Sequence, residues 1–483
     1  MPHRSRSARA SVRRAVGFLV AAASFAWCAT TGHPLLAQSQ QTLVPGRNVN
    51  MVSGTQWPTG DPYLQRQNEP SVAASTRNPL HLLAGANDYR TVDLPFIDGA
   101  DETGDAWLGL FKSFDGGQRW QSTLLPGYPQ DTSVEGMASP IFGYQAGADP
   151  VVRAGTNGLL YYAGLVFDRQ ENGRNAIFVA SFIDDNNREA NYREGGYESL
   201  NDPVRYLRTS IVAQSDGRVF YDKPWMAVDV PRLGARVCRI DTPGAGPSGV
   251  QRILAGSVYV AFTAFTEDAQ GPKSQIYMTR SEDCGKTWLP PVRISNAADR
   301  LNQGATIAID PRSGVVYVAW RRFAATAAAT GDGFLVSRST DWGRRFSAPG
   351  VAWALKRGRG KKVGLDMERF FEHRLKKRST RGGGEEEDDD RPFRSPSAPP
   401  KPTKTGPVSI GVETNEFDQA TSDINGLLAF RTNMYATMAV DGNGRVYLAW
   451  AERGFGQINS SGTDGDARIV MSTSTDGRSW STP

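Results

Sequence analysis

The stretch SFDGGQRW, from Ser113 to Trp120, recurs as SEDCGKTW at 281–288 and STDWGRRF at 339–346, and in shortened form as STDGRSW at 474–480. Each copy follows a run of apolar residues and precedes polar residues or proline, a pattern that predicts the turn of a β-hairpin. Serine and aspartate two positions apart can bond the backbone amides of a tight turn, and the glycine can adopt a positive φ. We therefore expect equivalent hairpin turns, each with an aromatic ring packed on neighbouring strands.

The pattern S-x-D-x-G-x-x-W resembles the Asp box, or BNR repeat, of the sialidase (neuraminidase) superfamily and other Asp-box β-propellers. In that family the box is structural and lies on the face opposite the active site. The resemblance implies that the aspartates here are turn residues and not catalytic acids. The residues assigned to these structural turns are Ser113, Asp115, Gly117, Trp120, Ser281, Asp283, Gly285, Trp288, Ser339, Asp341, Gly343, Phe346, Ser474, Asp476 and Trp480.

A second phrase recurs earlier in each unit, as PSVAAS at Pro70, PVVRAG at Pro150, PWMAVD at Pro224, ATIAID at Ala305 and ATMAVD at Ala436. Its copies are separated by 80, 74, 81 and 131 residues. If the 51 residues from 355 to 405 are treated as an insertion, the last interval becomes 80. Four short strands repeated at a fixed period are typical of a propeller blade.

The sequence thus predicts an all-β fold, a sialidase-like β-propeller of four-stranded antiparallel blades. Five blades are visible; the resemblance implies six, so a chain lacking its last blade is the alternative. The predicted domains are an export signal at 1–37 and a single propeller at 38–483. Residues 355–405 interrupt the propeller with a basic and acidic low-complexity segment, which we interpret as a solvated insertion with one basic amphipathic helix.

The N-terminus carries five arginines and no acid, followed by a short apolar run, which predicts a signal peptide. The run is too short to span a bilayer, so the expected location is secreted or periplasmic, with no transmembrane segment. Removing residues 1–37 leaves 50 basic and 50 acidic residues. The basic isoelectric point is therefore no argument for a nucleic-acid partner.

Two cysteines, Cys238 and Cys284, follow the predicted signal, and the sequence leaves open whether they pair. Only His81 and His373 remain there, which argues against imidazole-rich zinc sites and limits Ser-His-Asp catalysis. No cofactor is expected. Calcium is the one alternative, at an acidic loop formed by Asp98, Asp101, Glu102 and Asp105.

Propeller topology places a candidate site on the face opposite the repeated turns, where first strands begin and second strands end. The resemblance implies sialidase-type chemistry, with arginines clamping a sugar carboxylate, an aspartate as acid/base, and a tyrosine nucleophile activated by glutamate. By position and residue type, the catalytic candidates are Tyr435, Glu452, Asp88 and Asp222. The substrate-binding candidates are Arg90, Arg321, Arg322, Arg453, Tyr89 and Trp225.

The Arg-Ile-Pro motif of sialidases is absent from the sequence. Two functions therefore stay open: an exo-sialidase-type glycoside hydrolase, and a non-catalytic propeller that binds a carbohydrate or a protein over the same face. A glycan or glycoconjugate is the expected partner in the first case. The sequence does not indicate an oligomeric state.

Overall fold

The computed structural model describes residues 48–52, 67–89, 106–170, 172–185, 203–241, 250–323, 333–354, 435–455 and 466–483. For residues 452–455 and 466–467 only the backbone is described. The chain divides into two compact units, 1–49 and 50–483, and every described strand belongs to the second.

The described residues form an almost purely antiparallel β structure, as predicted. Sheet 1 consists of β1 Asn68–Ala74, β2 Leu82–Asp88, β3 Trp107–Ser113 and β4 Gln121–Leu124. Sheet 2 consists of β5 Ala146–Ala154, β6 Leu159–Phe167, β7 Asn175–Asp184 and β8 Val204–Ser215. Two short helical segments flank β5: the α-helix α1 at Val134–Met137 and a 3-10 turn at Thr156–Gly158.

Sheet 3 consists of β9 Phe220–Val228, β12 Val258–Asp268, β13 Gly271–Ser281 and β14 Val292–Arg293, and it carries a separate hairpin of β10 Val237–Asp241 and β11 Val250–Leu254. Sheet 4 consists of β15 Leu301–Ile309, β16 Val316–Phe323, β17 Gly333–Ser339 and β18 Gly350–Ala354. Sheet 5 has three described strands, β19 Thr437–Val440, β20 Val446–Phe455 and β21 Asp466–Ser474.

The five sheets stack through their first strands, because β1 lies against β5, β5 against β9, β9 against β15, and β15 against β19. Large apolar clusters fill the spaces between consecutive sheets: Tyr162 and Phe178 lie between sheets 1 and 2, and Trp320 between sheets 3 and 4. This arrangement is that of propeller blades with the first strand innermost, and it confirms the predicted fold class.

The described strands do not close a ring between sheets 5 and 1. Val72 of β1 is 59% exposed to solvent, and Ile469 of β21 is 77% exposed. Met51 and Val52 pack on Ala84 and Phe111 of sheet 1, and residues 48–52 form no strand.

The repeated turns share one hydrogen-bond pattern in all four copies. In the third copy, Ser339 Oγ accepts a hydrogen bond from the Gly343 amide at 2.8 Å and donates to Asp341 Oδ1 at 2.8 Å. In the last copy, the backbone amides of Ser479 and Arg478 donate to Asp476, and these hydrogen bonds lower the pKa of that carboxyl to about 2. The aspartates are thus held by the backbone amides of their own turns.

Each later turn also docks on the preceding sheet. A Cβ at Gly285 would lie 3.2 Å from the ring of Tyr161, and one at Gly343 would lie 2.8 Å from the ring of Tyr259. Trp288 Nε1 donates to Ser210 of sheet 2 at 3.0 Å. The glycines are therefore required for close packing as well as for their positive φ.

Cys238 and Cys284 form a disulfide, which resolves the alternative that the sequence left open. The bond joins the β10–β11 hairpin to the repeat turn that follows β13. Residues 1–47, the acidic loop at 98–105 and the insertion at 355–405 lie outside the described residues, so the signal, calcium and insertion predictions remain predictions.

Candidate functional site

The repeated turns all lie where third strands end, so they share one face of the propeller. We call the opposite face, where first strands begin and second strands end, the axial face. Because the first strands are innermost, the residues at their beginnings surround the axis of the stack.

Four first strands carry the same β-bulge at their axial ends. In each, two residues oppose one on the neighbouring strand, and the first of the two has a positive φ. These first residues are Glu69, Asp149, Lys223 and Gly304, with φ values of 53°, 60°, 48° and 69°. Left-handed backbone is uncommon for residues other than glycine and is concentrated at functional sites.

Three of the bulge residues form an ion-paired cluster, which we call the axial cluster: Glu69, Asp149 and Lys223. Lys223 Nζ lies 2.8 Å from Glu69 Oε1 and 3.4 Å from Asp149 Oδ1. Asn87 of sheet 1 accepts a hydrogen bond from the Asp149 amide at 2.8 Å and donates to Glu69 Oε2 at 3.2 Å. Three blades thus bring their charged groups to one point on the axial face.

The cluster perturbs the ionisation of Glu69. Burial of its carboxyl group and the adjacent charge of Asp149 raise the pKa of Glu69 to about 7, against the opposing effect of Lys223. A carboxyl group with a pKa near neutrality can donate or accept a hydrogen bond, according to its protonation state.

Among the predicted residues, Tyr435 and Arg321 both lie beside the small apolar cluster of Phe265, Leu301 and Phe323. Tyr435 occupies the position equivalent to the bulge residues, and a Cβ on Gly304 would overlap its ring. Tyr435 packs on the cluster that includes Phe323, and the guanidinium of Arg321 stacks 4.4 Å from the Phe323 ring centroid. Arg321 is almost completely buried.

The other described candidates are spread over several blades. Asp88 and Asp222 are buried, at the end of β2 and within β9. Arg322 points to the face of β16 opposite to Arg321 and lies 3.4 Å from Asp299. Trp225 lies under the guanidinium of Arg153, 4.9 Å away, and burial lowers the pKa of Arg153.

Arg90 lies outside the described residues, and Tyr89 is the last residue before that gap. The side chains of Glu452 and Arg453 are likewise not described. Within the described part of the chain, the predicted arginines do not converge on one point, and the expected arginine clamp remains a prediction.

Glu69, Asp149 and Lys223 are not among the site residues predicted from the sequence. Their position in the sequence identifies them: each directly precedes the proline that opens the second repeated phrase, in NEP, ADP and DKP. Among the described residues there is no group of three or more His, Cys, Asp or Glu side chains placed to hold a metal ion.

No protein-family model matches the sequence, and no curated protein sequence matches it significantly. Solved structures do match. An alpha-L-arabinanase of Penicillium chrysogenum, complexed with arabinobiose, matches over 86% of this chain and 80% of its own, with 10% identity and a TM-score of 0.34.

Two sialidases are also among the matches. A Hadza microbial sialidase matches over 86% of this chain and 57% of its own, with 12% identity and a TM-score of 0.35. A leech intramolecular trans-sialidase matches over 89% of this chain and 70% of its own, with 11% identity and a TM-score of 0.35.

Sequence identities and TM-scores this low support no conclusion about activity. The assignment of the chain as a β-propeller rests on its own stacked sheets and repeated turns. None of the described helices is long and apolar enough to span a membrane.

Proposed function

We propose that the protein binds a neutral glycan on its axial face, with Glu69, Asp149 and Lys223 as the central binding residues. The observation that supports this is the convergence of three charged side chains from three blades, each on a left-handed bulge. Carboxylates accept hydrogen bonds and an ammonium group donates them. The cluster can therefore accept a hydrogen bond from one sugar hydroxyl group and donate a hydrogen bond to another.

The charge of the cluster favours a neutral ligand over an acidic one. Two carboxyl groups surround one ammonium, and the buried carboxyl of Asp222 is adjacent to Lys223 in sequence. A sugar carboxylate placed here would face like charges, whereas hydroxyl groups would not.

The spacing of the carboxyl groups supports binding more than hydrolysis by this pair. Glu69 and Asp149 are hydrogen-bonded to each other and share Lys223. Two-carboxylate glycosidases hold their carboxyl groups about 5–5.5 or 6.5–9.5 Å apart, which leaves room for the sugar or a water molecule.

A sialidase-type glycoside hydrolase is the second candidate. The position of Tyr435 and Arg321 beside the same apolar cluster favours it, because that chemistry uses a tyrosine nucleophile and an arginine that binds the sugar carboxylate. In that case Asp88 or Asp222 would be the acid/base, Glu452 would activate Tyr435, and Arg90 and Arg453 would complete the clamp with Arg321.

A glycan array of neutral and sialylated oligosaccharides, probed with the full chain, tests the proposal. We expect binding to neutral glycans that Lys223→Met abolishes and that Arg344→Ala, a change in an exposed arginine on the opposite face, leaves intact. Preferential binding of sialylated glycans would contradict it. Release of a fluorogenic sialoside, lost in Tyr435→Phe, would establish the second candidate instead.

We also propose that the protein is exported, to the periplasm or the medium. The disulfide between Cys238 and Cys284 supports this, since such bonds persist in oxidising compartments. N-terminal sequencing of the protein recovered from its native host tests the proposal: a mature N-terminus near Gln38 is expected, and an intact Met1 in the cytoplasmic fraction would contradict it.

A further inference from the structure

We infer that the axial site continues into a second subsite, the β8–β9 cleft, which binds further units of a linear neutral oligosaccharide. The inference rests on the proposed function and extends it from a single sugar to a chain. The cleft is lined by Arg174, Gln214, Ser215, Asp216, Arg218 and Tyr221, and its volume is about 670 Å³. This volume falls in the range of about 300–1,000 Å³ that is usual for small-molecule sites.

The cleft lies on the axial face and runs towards the axis. It follows the connection from β8, the outermost strand of sheet 2, to β9, the innermost strand of sheet 3. Tyr221 forms its inner end, and Lys223 of the axial cluster stands two residues farther along the same strand. At about 3.3 Å per residue, the two positions are roughly 7 Å apart.

The lining of the cleft has the chemistry of a carbohydrate site. Guanidinium, amide, hydroxyl and carboxylate groups supply both donors and acceptors, and Tyr221 supplies a ring. The cationic groups are matched by acids: Arg174 lies 2.7 Å from Asp168, and Arg218 lies 3.2 Å from Asp216. The cleft is therefore close to neutral, which agrees with the ligand inferred for the axial cluster.

Hydrogen bonds hold the walls of the cleft in place. The guanidinium of Arg174 stacks 4.5 Å from the Tyr144 ring, and Gln214 donates to the Tyr144 hydroxyl at 3.1 Å. Asn175 of sheet 2 donates to the Val219 carbonyl at 2.8 Å and accepts from the Tyr221 amide at 3.0 Å. Such preorganisation lowers the entropic cost of binding a flexible chain.

The test is titration calorimetry of the full chain with xylo-, cello-, arabino- and manno-oligosaccharides of one to five units. For at least one series, affinity should rise about tenfold between one and three units, since a stacked ring and a few added hydrogen bonds contribute at that level. Arg218→Ala should remove most of this gain and leave the monosaccharide affinity unchanged. Arg218 is 87% exposed in its side chain, so the variant is expected to fold.

Tyr221→Ala is the second variant, and Arg344→Ala is the matched control on the opposite face. Affinity that is independent of chain length, or that Arg218→Ala and Tyr221→Ala leave unchanged at every length, would overturn the second subsite while the axial site stands. Binding that survives in Lys223→Met but fails in the cleft variants would overturn the axial proposal. Absence of binding in all four series would overturn both.

Discussion

At the scale of single residues, the axial face is shaped by four bulge positions where the backbone is left-handed. Glu69, Asp149 and Lys223 accept this conformation in spite of their side chains, whereas Gly304 accepts it without strain. The sequence indicates these positions through the residue that precedes each opening proline or alanine. It could not indicate that Lys223 reaches Glu69, because that contact joins residues 154 positions apart and depends on how three blades stack.

The raised pKa of Glu69 predicts a specific pH dependence of stability. Between 4.5 and about 7 the folded protein retains a proton on Glu69 that the unfolded chain loses, so the free energy of unfolding should fall as the pH rises through this window. Glu69→Gln should flatten this part of the profile, as measured by urea unfolding from pH 4.5 to 8. Glu267→Gln, at an exposed acid, is the control, and an unchanged profile in Glu69→Gln would contradict the prediction.

Gly304→Ala should destabilise the protein by about 2 kcal/mol or more, because a side chain in left-handed backbone is strained and its Cβ would overlap Tyr435. Chemical denaturation measures the effect. Gly442→Ala is the matched control, since an added Cβ there meets no atom within 4 Å. Equal stability of the two variants would show that the bulge is not under this constraint.

At the scale of elements, the repeated turns were predictable because the hydrogen bonds that form each turn are local. Serine, aspartate and glycine lie within four residues of one another and bond each other's backbone. The segment from Ser181 in sheet 2 also has a serine followed by aspartates after an apolar run, but Ser181 lies inside β7, which continues to Asp184. There Asp184 lies 2.9 Å from His81 of sheet 1, a contact between sheets that a local sequence pattern does not indicate.

Ser339→Ala should destabilise the protein by about 1–3 kcal/mol, because the Gly343 amide loses its acceptor in a buried turn. Glycan binding should be unaffected, since the turn lies on the opposite face. Thermal unfolding and the glycan array measure the two effects, with the exposed Thr340→Ala as control. A loss of binding at unchanged stability would place function at the turns and contradict the account.

The disulfide closes a loop of 46 residues that runs from β10 through β11, β12 and β13 to the turn at Cys284. Loop-closure entropy predicts that Cys238→Ala/Cys284→Ala lowers the free energy of unfolding by about 4 kcal/mol. Reduction of the wild-type protein should approach the same value in guanidinium unfolding. A difference below about 1 kcal/mol would indicate that the β10–β11 hairpin is held in the folded protein without the bond.

At the scale of the whole molecule, the repeat period and the turn motif predicted the stack of blades and the face that carries the candidate site. They did not predict which residues meet at the axis, because stacking distances between blades are set by interior packing such as that of Trp320 and Tyr162. The family resemblance directed attention to arginines. The structure instead places an acidic cluster bridged by Lys223 where three first strands begin.

The most direct test of the central claim is amide hydrogen exchange of the full chain with and without its tightest-binding neutral oligosaccharide. We expect ligand-dependent protection at residues 67–70, 147–151 and 221–224, where the axial cluster lies, and none at the turns 113–120, 281–288 and 339–346. Protection confined to those turns, with the three axial segments unchanged, would contradict it.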